Sequence, residues 1–210
     1  MRQLGRLFKL DPPPNPHLWT LPRHESAAAA LVPAGGPVLA IGPAANWRGK
    51  QWRAERFAEL ARRLTAPTGI LGGARVAIMA AAHERPQAMP VLQAVPAERC
   101  IDLVGRTDLL TAAAVLRRAT LFIGNDTGLM HISAAMGTPT VGLFGPSPSA
   151  HYAPWGSRTA VAQTDISPRA LMSAPGFDFR TTDTLMDSLT VDAAEAAVRG
   201  LWRRLDGDAA

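Results

Sequence analysis

From residue 38 to residue 144 the chain alternates short, almost wholly apolar runs with stretches of helical spacing, and this alternation leaves few folds open. The apolar runs cover residues 38–41, 76–79, 101–104, 121–123 and 140–144. Residues 51–64 have helical spacing through Trp52, Phe57, Leu60, Ala61 and Leu64. Further helices are predicted within residues 83–95, 108–118 and 128–136, and a last one over 191–205. Strands without polar alternation are buried on both faces, which calls for a parallel sheet with crossover helices above and below. The expected fold is α/β, a doubly wound, Rossmann-like parallel sheet. In such sheets ligands bind beyond the carboxyl ends of the strands, so the strand-to-helix loops are expected to carry the chemistry.

The first 36 residues read differently. Asp11-Pro12-Pro13-Pro14-Asn15-Pro16 cannot be helix interior or central strand, because proline lacks an amide donor and restricts its predecessor. Ala27 to Ala30 begin or end a short helix before Pro33-Ala34-Gly35-Gly36-Pro37 breaks the chain again. Residues 1–36 are therefore read as a proline-rich linker or docking arm, poorly packed or laid along the domain as an extended strap. The domain itself is expected over 37–210.

Composition narrows the function. No apolar run approaches the roughly 20 residues that span a bilayer. Residues 1–10 carry Arg2, Arg6 and Lys9 without a continuous apolar core, so a cytoplasmic protein is expected. The single cysteine, Cys100, excludes an internal disulfide framework and a cysteine-built zinc site. A net charge of +5 favours anionic ligands. The arginines lie singly or in pairs without interleaved aromatics, so no nucleic-acid partner is expected. Among 22 basic residues only Lys9 and Lys50 are lysines, which draws attention to Lys50 in its glycine-bounded loop.

Four loops carry candidate chemistry. Gly124-Asn125-Asp126-Thr127-Gly128, followed by Leu129-Met130-His131, joins an apolar strand to a helix. The amides and dipole of that helix start favour an anion such as phosphate. Gly124 and Gly128 leave room for close backbone approach. Asp126 and Thr127 are helix-cap residues, and Thr127 shares a face with His131. The plainer alternative is a well-capped helix with a core histidine. The second loop, Gly42 to Trp52, fails the Walker A pattern, having Ala44 at the first glycine position and Gln51 at the Ser/Thr position. It still places Lys50 at a helix opening, where a compact charge suits a phosphate; otherwise Lys50 is a solvated surface residue. In the third, His83-Glu84-Arg85, the carboxylate of Glu84 suits ribose hydroxyls, with a charged first helical turn as the alternative. The fourth, residues 142–148, is a stiff glycine–proline turn fit for a pocket wall. His17, His24 and His151 fall in predicted loops without metal-ligand spacing, and no Gly-x-Ser-x-Gly elbow occurs.

Taken together, Lys50-Gln51-Trp52 with the helix from Glu55, and Gly124-Asn125-Asp126-Thr127-Gly128-Leu129-Met130-His131 with Gly137-Thr138-Pro139-Thr140-Val141 and Leu143-Phe144-Gly145-Pro146, resemble the family 9 glycosyltransferases. These include the ADP-heptose:lipopolysaccharide heptosyltransferases. The resemblance covers residues 37 to about 156 well and extends toward the end of the chain. It implies the C-terminal, donor-binding half of a GT-B enzyme, holding a nucleoside-diphosphate sugar of the ADP-heptose kind. Carried over by resemblance, the donor-contacting residues are Lys50, Asp126, Thr127, Gly128 and His131, with Glu84 the nearest match for the ribose ligand.

The resemblance starts at the family's interdomain linker. The N-terminal domain, which in the family binds the acceptor and supplies the aspartate general base, is therefore expected to be missing, and no catalytic residue is assigned. Neither a metal nor a cofactor is expected. The implied partners are the donor, a glycan or lipid-linked acceptor, and a partner chain supplying the N-terminal half. The implied place of action is the cytoplasm, peripheral to the inner membrane face. The rival reading is a noncatalytic nucleotide-sugar-binding module, or a truncated subunit that needs a partner.

Overall fold

The computed structural model describes residues 14–207. Six strands form one all-parallel sheet: β1 (Val38–Gly42), β2 (Arg75–Ile78), β3 (Cys100–Asp102), β4 (Leu121–Asn125), β5 (Thr140–Phe144) and β6 (Thr159–Gln163), in the order β3-β2-β1-β4-β5-β6. Every residue of β1, β4 and β5 is buried. Alternate side chains supply opposite faces, as the period of two demands. Leu39, Ile41, Leu121 and Ile123 belong to one core cluster, and Val38, Ala40 and Phe122 to the other.

The first cluster is closed by α2 (Ala54–Thr65), α3 (Arg85–Ala94) and α8 (Val191–Gly207), through Phe57, Leu60 and Leu64, then Ala88 and Val91, then Ala194, Val198 and Leu201. The second is closed by α1 (Pro22–Leu31), α4 (Leu109–Arg117) and α5 (Gly128–Ala135), through Ala28, then Ala112, Ala114, Val115 and Leu116, then Met130. Two short helices, α6 (Ser149–Tyr152) and α7 (Pro168–Met172), flank β6. The doubly wound α/β expectation is met. Among the described residues no helix is long and apolar enough to cross a membrane.

Four differences from the sequence reading have physical causes. β6 was absent from the expected set because it is a half-exposed edge strand, Thr159-Ala160-Val161-Ala162-Gln163, without a continuous apolar run. The helix predicted from residue 51 starts at Ala54, because Arg48–Lys50 form a 3₁₀ turn and Gln51 is extended. His24 lies in α1 rather than a loop and is buried, with its Nδ1 accepting from the Leu21 amide at 3.1 Å.

The fourth concerns the arm. Residues 1–13 of the 1–36 stretch lie outside the described residues. The remainder carries α1, whose Pro22 occupies the first turn, where the missing amide costs nothing. Ala28 and Val32 are fully buried in the same cluster as Val38 and Phe122, so the packing is continuous across residue 36. Glu25 pairs with Arg117 of α4, and Arg118 Nε donates to the Val32 carbonyl at 2.8 Å.

If α1 is part of the core, Ala28→Asp buries a charge without a partner. An expected loss of about 3 kcal/mol in urea denaturation follows, with the cooperative transition retained; a loss within about 0.5 kcal/mol, the surface range, would show that α1 is dispensable.

Candidate functional site

Strand order reverses between β1 and β4, and at such a switch point the two following loops diverge and leave a crevice. The register sets Gly42 opposite Gly124, so both loops leave the sheet at one level. Glycine is required there for an internal reason: a Cβ on Gly42 or Gly124 would meet the Phe122 ring at 3.0 or 2.7 Å. Gly128 is different. Nothing lies within 4 Å of its would-be Cβ, so its backbone faces open space.

Asn125 ends β4 with no exposure and joins the two loops. Its Oδ1 accepts from the Trp52 amide at 3.1 Å, and its Nδ2 donates to the Pro43 carbonyl at 2.8 Å. Trp52 is buried edge-on against Phe57, with ring centroids 4.9 Å apart, and its Nε1 donates to the Leu189 carbonyl at 2.8 Å. Gln51 is also buried, its Nε2 donating to the Ala45 carbonyl at 2.8 Å. Lys50 is thus flanked by anchored residues.

Its ammonium does not float in solvent. Lys50 Nζ lies 2.7 Å from Asp126 Oδ2, with side-chain exposures of 26% and 7%. This corrects the expectation that Asp126 caps α5. Thr127 is the N-cap residue, extended at φ −145° and ψ 174°, and no side chain bonds the first-turn amides. Those donors therefore remain open toward the crevice, with the positive end of the helix dipole behind them.

The crevice is a cleft of about 570 Å³, within the range of small-molecule sites. Lys50, Glu84, Asp126, Thr127, Gly128 and His131 all line it, so the structure brings together the six residues that the resemblance carried over. His131 is exposed on α5 rather than held in the core. Glu84 closes a 3₁₀ turn, its Oε2 accepting from the Ala81 amide at 2.8 Å. The neighbouring Arg85 turns away to Asp102, at 2.9 Å. The 142–148 turn does not line the cleft; a Cβ on Gly145 would instead meet Met186 Sδ at 2.5 Å.

Sequence reasoning missed three contributors. Asn125 was quoted but given no role, although an amide side chain at the end of an apolar strand is a signal. Thr107 and Asp108, before α4, line the far side. Asp108 caps α4 by accepting from the Thr111 amide at 2.7 Å, and that bond holds its carboxyl below the usual range. Among the described residues no group of three His, Cys, Asp or Glu side chains is placed to hold a metal ion.

An ion pair predicts coupling that a helix cap does not. Asp126→Ala should destabilise the unliganded protein by roughly 1–3 kcal/mol. In a Lys50→Ala background most of that cost should vanish, giving a coupling of at least about 0.5 kcal/mol in urea titrations; an undiminished cost would restore the capping role.

Comparison with known proteins agrees with this fold. Residues 8–173 match the sequence profile of glycosyltransferase family 9 (heptosyltransferase). The chain is 34% identical over 139 residues to lipooligosaccharide heptosyltransferase 2 of Haemophilus influenzae, covering 64% of this chain and 38% of that protein. It superposes on the ADP-heptose lipopolysaccharide heptosyltransferase II of Escherichia coli with a TM-score of 0.70 and 22% identity, covering 90% of this chain and 54% of that one. An Escherichia coli heptosyltransferase solved with ADP gives a TM-score of 0.64 at 20% identity, over 85% and 48% of the two chains. The chain thus spans between about a third and about half of these proteins' lengths.

Proposed function

This chain belongs to glycosyltransferase family 9, and from that membership we propose that its cleft is the donor site of an inverting sugar transfer from a nucleoside-diphosphate sugar of the ADP-heptose kind to a lipopolysaccharide-type glycan or lipid-linked acceptor. The observation that carries the reading is the convergence of Lys50, Glu84, Asp126, Thr127, Gly128 and His131 on one cleft at the switch point.

The cleft's layout suits a ligand with a charged end and a flatter, less polar one. Lys50 and the start of α5 belong to the β1 and β4 loops, while Met79, Ala80, Ala81, Leu109 and Ala112 follow β2 and β3. Four adjacent strands span about 14 Å at the usual inter-strand spacing. A diphosphate against Lys50 and the α5 amides leaves a nucleoside to extend over β1 and β2, with Glu84 in reach of its ribose. In the transfer, an acceptor hydroxyl attacks the anomeric carbon and the nucleoside diphosphate departs. Lys50 and the free first-turn amides stabilise the charge that grows on the leaving diphosphate, in place before the reaction begins.

The cleft's three carboxylates are all engaged: Glu84 by the Ala81 amide, Asp108 by the Thr111 amide, and Asp126 by Lys50. This favours a chain that holds the donor while the general base comes from elsewhere, in a further domain or a partner chain. It equally supports a second reading, a nucleotide-sugar-binding module that acts only with such a partner. A lipid-linked acceptor would place the work at the cytoplasmic face of the inner membrane.

Calorimetry with ADP, UDP and GDP tests the donor reading. ADP should bind, and Lys50→Ala should weaken it by roughly 1–3 kcal/mol, about five- to 150-fold, beyond the fall in melting temperature that loss of the Lys50–Asp126 pair itself brings. Absence of heat with all three diphosphates at millimolar concentration, or full affinity in Lys50→Ala, would overturn it.

A further inference from the structure

Between α7 and α8 the chain runs through residues 174–190 without a strand or α-helix, yet it is bonded closely to one place. That place is the turn bearing Lys50. The Trp47 ring stacks on Phe179, with centroids 4.5 Å apart and planes 15° apart, and meets Phe177 edge-on at 6.4 Å. Trp47 Nε1 donates to the Phe179 carbonyl at 2.9 Å. Arg48 Nε donates to Asp183 Oδ1 at 2.6 Å. The Leu185 amide donates to the Gly49 carbonyl at 3.0 Å, and Thr184 Oγ1 donates to the Gln51 carbonyl. Arg53 is held by Asp187 through two bonds of 2.5 and 2.6 Å. A Cβ on Gly49 would collide with the Trp47 ring at 2.6 Å, so the turn is packed beneath that ring as tightly as glycine permits.

Trp47, Arg48, Gly49 and Gln51 are thus each bonded to the segment. Lys50, in their midst, makes its side-chain bond across the cleft to Asp126. We propose that residues 177–189 are a positioning strap that fixes the Lys50 turn so that its ammonium bears on an anionic ligand, with Phe179 and Asp183 as the positioning residues. The proposal rests on the reading of the cleft as a diphosphate site. Phe179 is 57% exposed and its loss opens no core cavity, so the strap's grip on the turn can be loosened without dismantling the domain.

The test is ADP affinity by calorimetry on the full chain, in a cycle of variants. Phe179→Ala and Asp183→Asn should each weaken ADP binding, by about five- to tenfold. In a Lys50→Ala background the same substitutions should change affinity by less than about twofold, since the group they position is gone. Phe179→Tyr, which keeps the stack, should retain wild-type affinity. Equal losses with and without Lys50 would make the strap a general structural support and overturn the proposal. So would unchanged affinity in both strap variants, with Lys50→Ala still weakening ADP; that result leaves the donor reading standing. Failure of the wild type to bind ADP overturns the donor reading and the strap's role together.

Discussion

The Asn125 carboxamide is the bond on which the site depends. At the switch point two parallel strands send their chains in opposite directions, and the backbone ladder that held them in register stops at Gly42 and Gly124. One buried amide side chain continues that register into the loops, accepting from Trp52 and donating to Pro43. Both partners are backbone groups that would otherwise be buried without a hydrogen bond, which costs more than the bond itself is worth. Asn125→Ala would strand both, and Asn125→Asp would place a carboxylate against the Pro43 carbonyl. The residue type is fixed because a donor and an acceptor are needed on one short, planar group.

On that frame the charges are arranged with some tension. Asp126 is nearly buried beside the start of α5, where the helix dipole favours a negative group, and it accepts the Lys50 ammonium. The pair is neutral as a unit, so neither charge is left uncompensated in a partly dehydrated place. An anion that enters gains Lys50 and the amides but also meets the Asp126 carboxylate. Affinity for a diphosphate is then a difference between large terms of opposite sign. On the proposed donor reading, the Asp126 carboxylate suits a sugar hydroxyl, which can donate to it, better than a phosphate oxygen, which cannot.

The sheet was legible in the sequence for the reason that it is buried on both faces: β1, β4 and β5 have no solvent side, so their apolar runs are continuous. β6 has a solvent side and no neighbour beyond it, and its signal is diluted. α1 was obscured because four alanines carry little periodic contrast, although small residues are what let it pack close to the alanine-rich α4. Lys50 and the residues from Asp126 to His131 were legible because their loops are short and glycine-marked, whereas the Glu84 loop has no glycine. Asp126 was misread because a local rule, an acidic residue before a helix, was applied where a cation 76 residues away had the stronger claim. The strap was illegible altogether: it has no period, and its partners are set by tertiary contact with Trp47, Arg48 and Gly49.

The two positive elements of the cleft therefore differ in kind. The α5 amides belong to a helix locked by Met130 in the core and by a buried hydroxyl contact of 2.7 Å between Ser133 and Thr140, so their direction is fixed by packing. The Lys50 charge sits on a 3₁₀ turn held by a segment that is itself irregular and makes many of its bonds at partly exposed positions. Elements of that second kind open at lower free energy than core helices. On the proposed donor reading both must be in place before charge develops on the leaving diphosphate, so the cation depends on its strap in a way that the amides, fixed by core packing, do not.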